Sequence, residues 1–141
     1  MPSLVCVDPA SVAALWPHVL PLFDAAFERF GTRAERNSIE LDVLNGRSLL
    51  WIAWSEPRQI EAMLVTDLAS KDGERVCRLR AFAAHRLARV LNLLEQVEVY
   101  ARDEGCRAVC YVGRPGWQRA LGSGYAVTHV HARKELKNVG R

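Results

Sequence analysis

Between Ser48 and Val112 the hydrophobic pattern changes from a strand period to a helical one and back, which restricts the available folds more than anything else in the chain. Three runs rich in β-formers come first: Ser48 to Trp54, Ile60 to Leu68 and Glu74 to Phe82. Only the turn signals Glu56-Pro57-Arg58 and Ser70-Lys71-Asp72-Gly73 separate them, so the three pair as an antiparallel meander. From Leu87 the spacing is helical, with Leu87, Val90, Leu91, Leu94, Val97 and Ala101 on one face. Gly105 stops that helix, and Cys106 to Val112 reads as a buried strand. A strand, a helix of this length and a further strand form a crossover, which makes the two strands parallel. The sheet is therefore mixed and the class is α+β.

Upstream, Ser3 to Val7 is a short strand, and Asp8-Pro9 opens a helix with Asp8 as its cap. Val12, Leu15, Trp16, Val19, Leu20, Phe23, Phe27 and Phe30 follow at helical spacing. Pro17 and Pro21 within that stretch predict a kink or two short helices in series, closed by Gly31. Thr32 and Glu35 have capping-box spacing for a second helix through Leu44, ended by Asn45-Gly46. Downstream, Gly113-Arg114-Pro115-Gly116 leads to a short helix from Trp117, which Gly122-Ser123-Gly124 ends. Tyr125 to Leu136 is the last strand, and residues 137–141 form a frayed tail. No repeat or linker divides the chain, so residues 1–141 are read as one domain.

Composition narrows the partners. Half of the residues are hydrophobic and a quarter charged, enough to fill a core. A net charge of +3 is weak for a nucleic-acid binder, so nucleic acid is not an expected partner. No apolar run reaches the roughly 20 residues that span a bilayer. The opening MPSLVCVDPA lacks the pattern of a secretory signal, so the expected location is cytoplasmic. Cys6, Cys77, Cys106 and Cys110 have no CxxC spacing and sit in apolar runs, which predicts free, buried thiols. His129 and His131 share a strand face without a third ligand nearby, so no metal site is expected.

The order of strand, two helices, three-strand meander, long helix, strand, short helix and final strand resembles the GNAT N-acyltransferase superfamily over residues 3 to 136. The local match is Gly122-Ser123-Gly124-Tyr125-Ala126-Val127, which looks like the family's Gly-aromatic turn into its last long strand. The resemblance implies a mixed, mostly antiparallel sheet of about six strands flanked by helices, with one parallel βαβ pair. It also implies acetyl-CoA or another acyl-CoA held between Glu74–Phe82 and Cys106–Val112, with an amine as acceptor. The cofactor's pyrophosphate would rest on amide groups at the start of the long helix, where orphan donors and the helix dipole favour an anion. The family pattern there is Arg or Gln, two residues, Gly, one residue, then Gly or Ala. This chain reads Ala83-Ala84-His85-Arg86-Leu87-Ala88, so only Ala88 fits and Arg86 stands at the central glycine. His85, Arg86, Leu87, Ala88 and Arg89 are the resulting cofactor candidates, the first two and the last through charge and the others through backbone N–H groups. The family's frequent tyrosine acid falls on Ala120, which cannot donate a proton. These departures keep a second reading open: a non-catalytic GNAT-like module acting within a protein assembly. Small GNAT-like proteins of phages and prophages suggest a virion as one such setting.

Six basic residues, Arg75, Arg78, Arg80, His85, Arg86 and Arg89, fall in one short stretch. Strand alternation puts Val76, Arg78, Arg80 and Phe82 on one face and Cys77, Leu79 and Ala81 on the other. Arg78 and Arg80 are thus candidates for binding CoA phosphate, an acidic acceptor or a partner's carboxylates. The alternative is a strand face paired with Glu61, Asp67 or Glu74 across the meander. Tyr111 and Tyr125 are candidate proton donors, and Glu98, beside the apolar face of the long helix, is a candidate base. Glu98 also stands four residues before Arg102, a spacing suited to an ion pair. Trp51 and Trp54 differ in parity, which sends one of them away from the core, either to anchor a partner or to lie under a helix; a homo-oligomer stays open among the expected partners.

Overall fold

A computed structural model of the protein describes residues 2–27, 33–56, 59–86, 90–112, 126–128 and 131–136. Its elements are β1 (Ser3–Cys6), α1 (Pro9–Ala26), α2 (Arg33–Leu44), β2 (Leu49–Ser55), β3 (Gln59–Lys71), β4 (Glu74–Ala84), α3 (Leu94–Asp103), β5 (Ala108–Val112), β6 (Ala126–Thr128) and β7 (His131–Glu135). They form one sheet in the order β1-β2-β3-β4-β5-β7-β6. Every neighbouring pair is antiparallel except β4 and β5, which are parallel as the crossover requires. The α+β class, the meander and the single parallel pair all stand.

Three local expectations change. The final strand is a hairpin, with β6 folded back on β7 in the register Ala126↔Arg133 to Thr128↔His131, which brings the sheet to seven strands. A single strand from Tyr125 to Leu136 would outrun the five-residue β5, whereas folding back gives that backbone hydrogen-bond partners. The proline-bearing helix is continuous over 18 residues rather than split in two. Ala13, Pro17 and Pro21 are spaced four apart and all exposed, so the carbonyls left without an N–H partner face water. The long helix is not uniform: a 3-10 turn at Leu91–Leu93 precedes α3. That tighter turn puts Val90 and Leu93 on the buried side, continued by Val97 and Ala101. Residues 87–89 and 113–125, including the expected short helix, lie outside the described residues.

Each face of the sheet carries its own core. Under α3 lie Trp51, Ala53, Ala62, Leu64, Cys77, Leu79 and Phe82. The other face packs Leu50, Ile52, Met63, Val65 and Ala81 against Trp16, Val19 and Phe23 of α1 and Ile39 and Val43 of α2. Two β-bulges keep these sets coherent. Glu61 is inserted in β3, between the pairs Ala53↔Ala62 and Trp54↔Ile60. Arg80 is inserted in β4, between Thr66↔Leu79 and Val65↔Ala81. An inserted residue reverses strand parity, so Phe82 joins Cys77 and Leu79 instead of sharing a face with Arg78. Plain alternation across Arg80 therefore fails.

Polar contacts fix the helices in place. Within the α3-side core, Trp51 Nε1 donates to Thr66 Oγ1 at 2.9 Å, and the indole meets the Tyr100 ring edge-on at 5.3 Å. Arg36 joins α2 to α1 through Asp24 at 2.7 Å and lies 5.2 Å over the Phe23 ring. Trp16 Nε1 donates to Glu40 Oε2 at 2.7 Å from the opposite helix. The end of α2 docks through Asp42. Its carbonyl accepts the N–H groups of Arg47 and Ser48, while Gly46 takes the left-handed φ of 78° that closes the helix. Its carboxylate accepts from Arg80 Nη1 at 2.6 Å and Arg47 Nε at 2.9 Å. The Arg80 guanidinium foremost, then Arg47, holds the Asp42 carboxyl below its ordinary value.

Two outcomes follow from these contacts. Thr66→Val leaves the buried Trp51 indole N–H without its acceptor and is expected to lower unfolding free energy by about 1–3 kcal/mol in urea titrations. Thr66→Ser, which keeps the hydroxyl, is expected to recover most of that loss. Because the Asp42 carboxyl titrates lower in the folded chain, its contribution is complete above the ordinary aspartate value, about 4. It is lost as pH falls through the folded value. The difference in Tm between wild type and Asp42→Asn should therefore be largest near neutrality and shrink below about pH 4. A constant difference down to strongly acidic pH would contradict this assignment.

Candidate functional site

The two parallel strands part company at their C-terminal ends. Their register runs Val76↔Ala108, Cys77↔Val109, Arg78↔Cys110 and Leu79↔Tyr111. β4 then continues to Ala84 in register with β3, from Val65↔Ala81 to Ala62↔Ala84, and His85 N–H donates to the Glu61 carbonyl at 2.9 Å. Val112 meanwhile stays with β7, opposite His131. From Arg80 onward, among the described residues, the β5-facing edge of β4 has no strand partner. Three of the four residues from Ala81 to Ala84 are alanine, so this wall of the gap carries little side-chain bulk. The bulge at Arg80 coincides with the point of separation, as expected of an insertion that bends its strand and adds twist.

At the end of β4, His85 and Arg86 form an exposed bend leading towards Val90, the first described residue beyond it. Of the five cofactor candidates these two thus follow directly on β4, while Leu87, Ala88 and Arg89 lie outside the described residues. Tyr111 belongs to β5 at the last paired position before the strands separate. Tyr125 and Ala120 lie outside the described residues. Glu98 is half-buried on α3. Glu61, the inserted residue of β3, is 7 % exposed and sits beside the end of β4. A carboxylate buried at a sheet terminus has no simple sequence signature, because the bulge that places it there breaks the alternation.

Arg78 and Arg80 are engaged by carboxylates on the α1–α2 side of the sheet. Arg78 holds Asp67 with two bonds, Nε to Oδ1 at 2.7 Å and Nη2 to Oδ2 at 2.6 Å, from the position directly opposite on β3. Asp67 is also the main reason the Arg78 guanidinium keeps its proton more tightly than usual. Arg80 Nη1 reaches Asp42 at 2.6 Å, Ser48 Oγ at 3.2 Å and Asp67 at 3.5 Å. The paired strand face is therefore what forms, with Asp67 as the cross-strand partner. An incoming anion would have to compete with carboxylates already in place.

The remaining candidates sort by burial. All four cysteines are free thiols; Cys77 and Cys106 are buried, Cys110 is half-buried and Cys6 is exposed on the edge strand β1. Cys6 departs from the buried thiol that its apolar run predicts, because an edge strand has no neighbour on its outer side. Burial raises the Cys106 thiol and pushes Cys77 up to about 12, so both stay protonated at neutral pH. Trp51 and Trp54 do lie on opposite faces. Trp51 is in the α3-side core, whereas Trp54 lines an open cavity of about 640 Å³ beside α1 with Leu15, His18, Ile52, Gln59 and Ile60. That cavity lies over β2 and β3, away from the strands that separate. Among the described residues no three His, Cys, Asp or Glu side chains gather as a metal site needs, and no helix is long and apolar enough to cross a membrane.

No protein-family model matches the sequence, and no curated protein sequence does. Solved structures do match. A GNAT-family N-acetyltransferase (YhbS) from Escherichia coli in complex with CoA aligns with a TM-score of 0.71 at 14% identity, over 97% of this chain and 82% of that one. A GNAT-family acetyltransferase from Brucella melitensis in complex with acetyl-CoA gives 0.70 at 14% identity, over 97% and 89%. The aminoglycoside 6'-N-acetyltransferase AAC(6')-Ih from Acinetobacter baumannii gives 0.60 at 16% identity, over 87% and 90%. Seen with the separated parallel strands and the flanking helices, these alignments show that the chain has the GNAT fold.

Proposed function

We propose that the protein binds an acyl-CoA in the gap between β4 and β5 and transfers the acyl group to an amine. The observation that supports this most directly is the end of the β4–β5 register at Leu79↔Tyr111 while β4 runs on to Ala84. An unpaired strand edge offers backbone donors and acceptors to an extended, amide-bearing ligand, much as it would to an added strand. The alanines at 81, 83 and 84 leave room for it, and at the end of β4 the exposed Arg86 supplies positive charge and the exposed His85 a hydrogen-bonding ring for its phosphates. Arg86, standing where the family has glycine, contributes its guanidinium instead of close backbone approach. Leu87 and Ala88 offer backbone N–H groups at the helix start, and Arg89 a further charge.

When bound, acyl-CoA supplies an acyl group activated as a thioester. In the transfer a bond forms between the amine nitrogen and the acyl carbon, and the carbon–sulfur bond breaks. The nitrogen gives up a proton and the departing sulfur takes one. Tyr111, at the point of separation, and Tyr125 are the proposed donors to sulfur, and Glu98 is the proposed acceptor of the amine proton, directly or through water. Arg78 and Arg80 keep their carboxylate partners in this scheme and do not touch the ligand. The absence of a tyrosine at Ala120 favours a second reading, in which the same cleft binds the cofactor or a protein partner without turnover.

Calorimetric titration with CoA and with acetyl-CoA tests binding, and thiol release in the presence of an amine panel tests transfer. Saturable CoA binding with thiol release is expected. Binding without release would favour the non-catalytic module, and no binding at millimolar CoA would remove both cofactor readings. Arg86→Ala is expected to weaken CoA binding about tenfold, the effect of losing one hydrogen bond to a charged group. Unchanged or tighter binding by that variant would mean that Arg86 does not hold phosphate.

A further inference from the structure

We infer that Arg80 is a positioning residue for the gap: its ion pairs with Asp42 and Asp67 hold the β4 bulge in register, and the bulge sets where β4 leaves β5. Arg80 is itself the inserted residue, since Leu79 faces Thr66 and Ala81 faces Val65. It also follows directly on the last β4 residue that pairs with β5, Leu79. The same residue thus bends the strand and begins the separation.

Its side chain is held from three elements. Asp42 comes from the last turn of α2 and Ser48 from the entry to β2, while Asp67 comes from β3. Each partner is fixed in turn. Arg47 holds the second oxygen of Asp42, Arg78 holds Asp67 through both of its oxygens, and Ser48 is buried. The side chains of Arg80, Asp42 and Asp67 are only 17%, 22% and 11% exposed, so these pairs are screened less than surface ones. Moving the inserted residue along β4 would change which residues face α3 and which face α1, and would take the guanidinium away from its carboxylates. The charge network therefore selects Arg80 as the inserted residue, a choice that apolar burial of the small Ala81 beside it specifies weakly.

The test uses the full chain with Arg80→Met, which keeps much of the side-chain length without the charge, and Asp42→Asn, which keeps shape and weakens the pair. Arg36→Met, which breaks the Asp24 ion pair between α1 and α2 and the Glu40 pair within α2, is the control for general loss of stability. Hydrogen–deuterium exchange without ligand should speed up at least tenfold over residues 79–85 and their β3 partners in Arg80→Met, and in the same direction but less in Asp42→Asn. The Arg36 variant should leave that segment unchanged. Unchanged exchange there in both test variants, or acceleration spread evenly over all strands, overturns the inference. CoA titration gives the second readout, which rests on the proposed cofactor reading: CoA affinity is expected to fall in the same order. Faster exchange with unaltered CoA affinity would overturn the link to the gap. If wild type binds no CoA, the cofactor reading falls and exchange alone decides the inference. If Arg80→Met fails to fold, Asp42→Asn carries the test.

Discussion

A strand pair in a sheet stays together unless something makes it diverge, because each lost backbone hydrogen bond must find another partner. In this protein the divergence is made by one extra residue. β4 is tied to β3 along its whole length, from Lys71↔Glu74 to Ala62↔Ala84, and to β5 only as far as Leu79. Inserting Arg80 lets the far half of β4 follow β3 while turning from β5. The gap, the reversed facing of Phe82 and the placement of His85 at the sheet end all follow from that insertion. The side chain at the insertion is charged and finds carboxylates on the α1–α2 side, so the irregularity in the sheet doubles as an attachment point for α2.

That arrangement explains why the two cores can be so different. The α3-side core is built around Trp51, whose indole N–H is satisfied by Thr66, and includes two buried thiols. The α1–α2 side relies on apolar packing around Phe23 and Met63, with charged pairs at its border. The hairpins β2–β3 and β3–β4 make up most of the sheet, and among the described residues its one parallel pair is made through the crossover that contains α3. A helix with Val97 and Ala101 buried and Gln96 and Val99 outward holds that crossover against β5 and the neighbouring strands.

The meander, the crossover and both N-terminal helices were legible because each rests on a local signal: turn residues, a capping aspartate, or a period of two or 3.6. The bulges were not. An inserted residue is defined by what the partner strand does, and the run Arg78-Leu79-Arg80-Ala81-Phe82 looks like regular alternation from the sequence alone. The prolines of α1 misled for a related reason. Their cost depends on whether the freed carbonyls meet water, and the spacing of Ala13, Pro17 and Pro21 along one exposed stripe answers that only once the helix has been oriented on the sheet. The hairpin at the end of the chain is set by the short length of β5, a constraint that lies far away in sequence.

The basic cluster shows how the same limits apply to function. Six basic residues between Arg75 and Arg89, His85 among them, look like a single anion site when counted along the chain. In the fold they separate by role. Arg78 and Arg80 are balanced by Asp67 and Asp42 on the α1–α2 side, and their charge is spent within the protein. His85 and Arg86, past the end of β4, stay exposed where the strand edge is open. Neither the net charge of +3 nor the count of six therefore describes the role of any one of these residues. The carboxylates at the bulge are Asp42 and Asp67, while the buried Glu61 lies beside the bend and takes the His85 N–H through its carbonyl. What separates the roles is position in the fold: residues five or six apart along the chain meet different surroundings once the bulge has turned the strand.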